Sequence, residues 1–87
     1  MKLNAIIVED EEISRDIIRN YLSKYCPNVN LLGEASNIEE GYNLINKHNL
    51  DLVFLDVEMP FGNAFDLLEK IENRTFEVIF VTAYDHY

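Results

Sequence analysis

The chain is poor in cysteine, in cations and in long apolar runs. Cys26 is the single cysteine in 87 residues. No disulfide can close within the chain, which fits a reducing compartment. Its immediate neighbours, Tyr25 and Pro27, do not activate a thiol, so Cys26 is expected to be structural. Seven Lys+Arg face 16 Asp+Glu, for a net charge of -9. Such a surface repels a nucleic-acid backbone. It suits a cation or a basic protein partner, and it also keeps a domain soluble. No apolar stretch approaches membrane-spanning length. The run Leu3 to Val8 passes straight into Glu9 and Asp10, too soon for a secretory signal. A cytoplasmic protein, with no membrane partner and no nucleic-acid partner, is expected.

There is no repeat, low-complexity tract or internal linker. A length of 87 residues allows one domain, 1–87, with a modest core. A hydrophobic fraction of 48% and a charged fraction of 26% fit a folded soluble protein. LNAIIV (Leu3 to Val8) reads as a short strand buried on both faces. A helix follows, with Ile13, Ile17, Tyr21 and Tyr25 recurring every four residues beside Ile18 and Leu22. Tyr21, Tyr25 and Tyr42 are read as packing residues, and Glu11 and Glu12 as caps of that helix. Pro27-Asn28 ends it. VNLLGE (Val29 to Glu34) is a second strand. Asn37 and Glu40 form a capping-box pattern for a helix that turns Ile38, Tyr42 and Ile45 inward. LDLVFL (Leu50 to Leu55) is a third strand and runs into Asp56. Pro60, Phe61 and Gly62 form a loop. Ala64 to Glu72 reads as a helix with Phe65, Leu68 and Ile71 on one face. FEVIFV (Phe76 to Val81) is a fourth strand, followed by Thr82 and Ala83. The order β-α-β-α-β-α-β predicts a parallel sheet with right-handed crossovers and helices on both faces. Ligands of such sheets bind beyond the carboxyl ends of the strands.

Two apolar strands end in acids there, the first in Glu9 and Asp10 and the third in Asp56. Neighbouring strands would bring these carboxylates together. Burying three acids is costly unless a proton or a cation neutralises them. Oxygen ligands with room for water and phosphate are what Mg²⁺ prefers. A carboxylate beside such an ion can attack phosphorus to give an acyl phosphate. Thr82 closes the fourth strand at the same edge, with a hydroxyl for a phosphate oxygen.

IIVEDEE (Ile6 to Glu12), LVFLDVEMP (Leu52 to Pro60) and VIFVTAY (Val78 to Tyr84), in this order, resemble the receiver domain of two-component response regulators. VEMP and FEVIFVTAYDHY look most like receivers attached to LytTR-type DNA-binding domains. The resemblance implies a flavodoxin-like (CheY-like) fold. It implies Asp56 as phosphoacceptor and Glu9 and Asp10 as the acidic pair holding Mg²⁺. Glu58 matches the position whose backbone carbonyl ligates the metal. Thr82 matches the switch hydroxyl, and Ala83 the small residue that leaves access to it. The implied partner is a sensor histidine kinase, and the implied output is transcription through a separate domain.

The sequence departs from the family pattern in two places. Asn63 is followed by Ala64 where the family usually has Gly, while Gly62 stands just before. The fifth strand, with its phosphoryl-contacting Lys and aromatic switch residue, is not among these residues, and Lys70 is expected to be solvated. The chain therefore reads as an incomplete receiver, truncated after the fourth strand. That strand becomes an apolar edge expected to pair or swap with a second copy. Two other functions stay open. One is a receiver fragment that only binds partners. The other is a haloacid-dehalogenase-type phosphohydrolase, which would want a second Asp where Glu58 stands. His48 and His86 have no partner at metal-ligand spacing and read as surface residues.

Overall fold

A computed structural model of the chain describes residues 2–59, 62–71 and 74–81. The apolar runs become strands β1 (Leu3–Val8), β2 (Val29–Ala35) and β3 (Leu52–Asp56). Helices α1 (Glu12–Tyr25) and α2 (Ile38–Lys47) connect them. Two short strands, β4 (Glu58–Met59) and β5 (Gly62–Asn63), precede α3 (Ala64–Glu69) and β6 (Glu77–Val81). The main sheet has the order β2-β1-β3-β6, and all three of its pairings are parallel. This is the doubly wound order that leaves a crevice where the chain turns from one side of β1 to the other.

The sheet is covered on both faces, and β1 shows why. Ala5 to Val8 are fully buried, yet alternate residues enter different cores. Ala5 and Ile7 pack with Leu22 of α1 and Phe54. Ile6 and Val8 pack with α2 and α3 through Ile38, Ile45 and Leu67. A strand buried on both faces needs no polar alternation, hence the unbroken LNAIIV. The register slips between Ala5 and Ile6, where the partner steps from Leu31 to Gly33. Asn37 caps α2 as expected, accepting a 2.8 Å bond from the Glu40 amide. The returning arm of the box lands one residue earlier. Glu40 accepts from the amide and hydroxyl of Ser36, both at 2.8 Å, and the Ser36 amide leads in holding its carboxyl below the ordinary pKa.

Several expectations need correcting. Ile13, Ile17, Tyr21 and Tyr25 do not face the core; they are 59–74% exposed. The row is a helical face, but the helix lies on the sheet by the neighbouring face, and the inward line runs through Ile18 and Leu22. Tyr21 and Tyr25 pack on each other at 4.9 Å, whereas Tyr42 does pack against the core. Phe65 is likewise exposed, 5.8 Å from Phe80, and α3 buries Ala64 and Leu67 instead. Helix α3 ends at Glu69, because Lys70 and Ile71 donate to Leu67 and Leu68, tightening the last turn to i→i−3 bonds. The described part of the expected loop is an antiparallel pair, Glu58 with Asn63 and Met59 with Gly62. Lys70 is exposed as expected, with its ammonium 5.8 Å from the Tyr42 ring, and His48 is half-buried. His86 lies outside the described residues.

Gly41 is a point of close approach between α2 and the sheet. A Cβ there would stand 3.1 Å from both γ-carbons of buried Val8 and 3.4 Å from Leu67. The helix gains about 1 kcal/mol from Gly→Ala, but overpacking costs about 1–3 kcal/mol, and a β-branched neighbour cannot swing aside. Gly41→Ala is expected to destabilise the domain by roughly 1 kcal/mol. Urea titration checks this: an unchanged or raised midpoint would show that Val8 yields.

Candidate metal centre

The parallel register determines where the acids meet. Val8 pairs with Leu55 across β1 and β3. The next residue on each strand is therefore Glu9 on one side and Asp56 on the other. Asp10 follows in the turn before α1. Glu9 is 1% exposed and Asp56 8%, while Asp10 is half-buried. One carboxylate oxygen from each lies within 4.8 Å of the other two. The three acids expected to converge do so at the carboxyl edge of the central strands.

Glu9 is held tightly. Its amide donates to Ala35 O at 2.9 Å, continuing the ladder beyond β1. Its Oε2 accepts from the Glu11 amide at 2.9 Å. Its Oε1 is buried and has no hydrogen-bond partner. A buried polar atom left unmade costs roughly 1–3 kcal/mol, so this oxygen is available for a cation. Burial raises the Glu9 carboxyl to about pKa 7. The adjoining Asp10 side chain and the charges of Asp56 and Asp10 add to the rise, and the Glu11 amide opposes it. Glu11 occupies the N-cap position without a side-chain capping bond, and Glu12 lies in the first turn. The capping role expected of Glu11 is thus not seen.

The other expected site residues divide by position. Val81 pairs with Asp56, but Thr82 and Ala83 lie outside the described residues. Glu58 opens β4 two residues beyond Asp56. Met59 is buried, and Ala64 donates to Val57 O at 3.0 Å, which anchors this segment beside the site. Sequence reasoning missed Arg15. Its guanidinium donates to the backbone carbonyls of Glu9 and Asp10. The signal for it was weak: a cation in the first turns of a helix, where the dipole disfavours one.

These features coincide with a known family. Residues 5–87 match the family model of the response regulator receiver domain, and the chain belongs to that family. An uncharacterized response regulatory protein of Vibrio cholerae is 38% identical over 86 residues, 98% of this chain and 36% of the relative. The sensory transduction protein LytT of Bacillus anthracis is 34% identical over 88 residues, 98% of this chain and 35% of LytT. The chain thus spans about a third of the length of these curated relatives. Among solved structures, the MaeR response regulator bound to beryllium trifluoride superposes with a TM-score of 0.84 at 31% identity, over 99% of this chain and 70% of that one. The protein is a response-regulator receiver domain with a CheY-like fold.

The proton on Glu9 makes a testable link to stability. An ordinary glutamate titrates at 4.5, folded Glu9 at about 7. Between those values the folded state binds more protons than the unfolded one. Stability from this group is present below 4.5 and is lost as pH rises through 7. One pKa unit corresponds to about 1.4 kcal/mol, so the whole effect is on the order of 3 kcal/mol. In metal-free protein, Glu9→Gln is expected to raise the melting temperature at pH 8 by at least about 5 °C, with little change at pH 4.5. Equal pH profiles for wild type and variant would refute a buried, proton-holding Glu9.

Proposed function

We propose that this chain receives a phosphoryl group on Asp56 from the phosphohistidine of a sensor histidine kinase, with Mg²⁺ held by Glu9, Asp10 and Asp56. The observation that carries the reading is the convergence of these three carboxylates within 4.8 Å. The residues fit the ion. The donors are all oxygen, as Mg²⁺ requires, and the buried Glu9 Oε1 has no other partner. When bound, Mg²⁺ neutralises the oxygens of the incoming phosphoryl group.

The chain's own residues do the rest. Glu9, fixed through its Oε2 and its amide, would offer one oxygen, and Asp10 would offer another. The backbone carbonyl of Glu58 is a further ligand in this reading. Asp56 ends a fully paired strand, so its carboxylate is presented without a mobile tether. It forms a bond to phosphorus as the bond from phosphorus to the donor breaks, and the donor leaves with that electron pair. Thr82 supplies the hydroxyl that binds a phosphoryl oxygen, and Ala83 leaves room for it; both roles rest on the family pattern. The solved MaeR relative supports the reading, since beryllium trifluoride is a tetrahedral mimic of a phosphoryl group.

The remaining parts of the reading lie outside the site. The module signals rather than turning over a metabolite, works in the cytoplasm, and acts on transcription through a domain outside these residues. The LytT relatives support a LytTR-type output. Self-association through the outer side of β6 belongs to the same reading, because Ile79 and Phe80 are exposed on the outermost described strand of the sheet.

Incubation with acetyl phosphate and Mg²⁺, followed by intact-mass measurement, tests the site. One phosphoryl group is expected on wild type, and none on Asp56→Asn or in the presence of EDTA. Persistent addition on Asp56→Asn would remove Asp56 from the role. No addition to wild type would leave the chain as a binding module only.

A further inference from the structure

Arg15 sits in the second turn of α1, but its side chain reaches back past the start of its own helix. Nη1 donates to Glu9 O at 2.8 Å and to Asp10 O at 3.2 Å. Long helical side chains point toward the N-terminus, which makes this reach natural. Its Nε lies 3.6 Å from Glu34 Oε1, with only 19% of the Arg15 side chain exposed. Glu34 in turn receives Arg19 Nη1 on both oxygens, at 2.9 and 2.7 Å, and Arg19 also pairs with Asp16.

The placement is electrostatically odd. A cation near a helix N-terminus opposes the helix dipole. Beside three acids it would be expected to pair with a carboxylate. Its hydrogen bonds go instead to main-chain carbonyls, and its counter-charge is Glu34 on β2, outside the acidic cluster. We infer that Arg15 is a positioning residue that clamps the Glu9–Asp10 turn, so that both carboxylates are aimed at the cation site before the cation arrives. The inference rests on the proposed Mg²⁺ site. The Glu9 peptide is then fixed at each end, by Ala35 O on its amide and by Arg15 on its carbonyl. Glu34 holds the guanidinium in place and cancels its charge, so the clamp does not repel the ion it prepares for.

Two effects of removing Arg15 have opposite signs, which makes the inference decidable. If Arg15 acts only through its charge, its loss removes a positive neighbour and Mg²⁺ binds equally well or more tightly. If it positions the turn, its loss loosens two ligands at once. Changes to groups that orient metal ligands typically cost about 10–100-fold in affinity.

Mg²⁺ dissociation constants are measured by calorimetry on the whole chain, each variant being kept well below its own melting temperature. Arg15→Gln is expected to weaken binding by about tenfold or more. Arg15→Lys, which keeps one donor group and the charge, should fall between it and wild type. Arg19→Gln removes bonds to Glu34 but none to the turn, and should match wild type within about twofold. Unchanged or tighter binding in Arg15→Gln overturns the clamp. Should that variant not fold, Arg15→Lys decides alone: wild-type affinity overturns the clamp and weakened affinity supports it. Loss in Arg19→Gln equal to that in Arg15→Gln also overturns it, since the effect would then belong to the ion-pair network as a whole. Absence of any Mg²⁺ binding by wild type is a different failure, that of the metal site itself.

Discussion

Three carboxylates meeting at one sheet edge is the constraint around which the rest of the domain is arranged. At about 4 Å, two like charges repel by roughly 1 kcal/mol in water and about 4 kcal/mol at the effective dielectric near a protein surface. The parallel pairing of β1 and β3 leaves no way to avoid this, because Val8 opposite Leu55 commits the next residues to adjacency. Sliding β1 by one residue so that Val8 stood beside Asp56 would draw Glu9 away from it. It would also exchange Ala5 and Ile7 with Ile6 and Val8 between two different cores. The apolar packing on both faces therefore holds the acids together against their own repulsion.

Glu9 is held firmly except at one carboxylate oxygen. The Glu9 amide, its carbonyl and one carboxylate oxygen each have a protein partner. Its other oxygen has none. Among the described residues, this is the one buried side-chain acceptor left without a partner, and such groups recur at functional positions. Val57, Met59 and Ala64 are tied down by different means, with Met59 and Ala64 buried and the Ala64 amide bonded to Val57 O. The strands supply the ligands' positions, and the connections supply their orientation.

What was legible in the sequence follows from how each feature is encoded. Strands buried on both faces appear as unbroken apolar runs, so β1, β3 and the approach of Asp56 to Glu9 and Asp10 could be read directly. The cap of α2 is local in sequence and was legible too, although Glu40 reaches Ser36 rather than Asn37. The face of α1 was not legible. Its row of Ile13, Ile17, Tyr21 and Tyr25 mimics a buried stripe, while burial is decided by where the helix lies on the sheet. The β4–β5 pair was hidden because two-residue strands leave no periodic signature. Arg15 and Glu34 were hidden because they are 19 positions apart in sequence (34 − 15) and meet only through the β1–α1–β2 crossover. Contacts between a side chain and a distant backbone carbonyl leave no trace in spacing.

The disposition of charge around Glu9 and Asp10 bears on the proposed cation site. Arg15 is the cation tied to the acidic turn, yet its hydrogen bonds are made to carbonyl oxygens and its ion pair to Glu34. A guanidinium paired with Glu9 or Asp10 would neutralise part of the cluster internally. The Glu9 carboxyl would have less reason to sit near pKa 7, and an outside cation would gain little. With the guanidinium engaged elsewhere, a proton and the proposed divalent ion would compete for the same buried oxygens close to neutral pH. At the proposed site, the same arrangement that costs stability in the metal-free domain would favour binding a cation. The compensation is local, because the ion pair of Arg15 is with Glu34 on the β2 side.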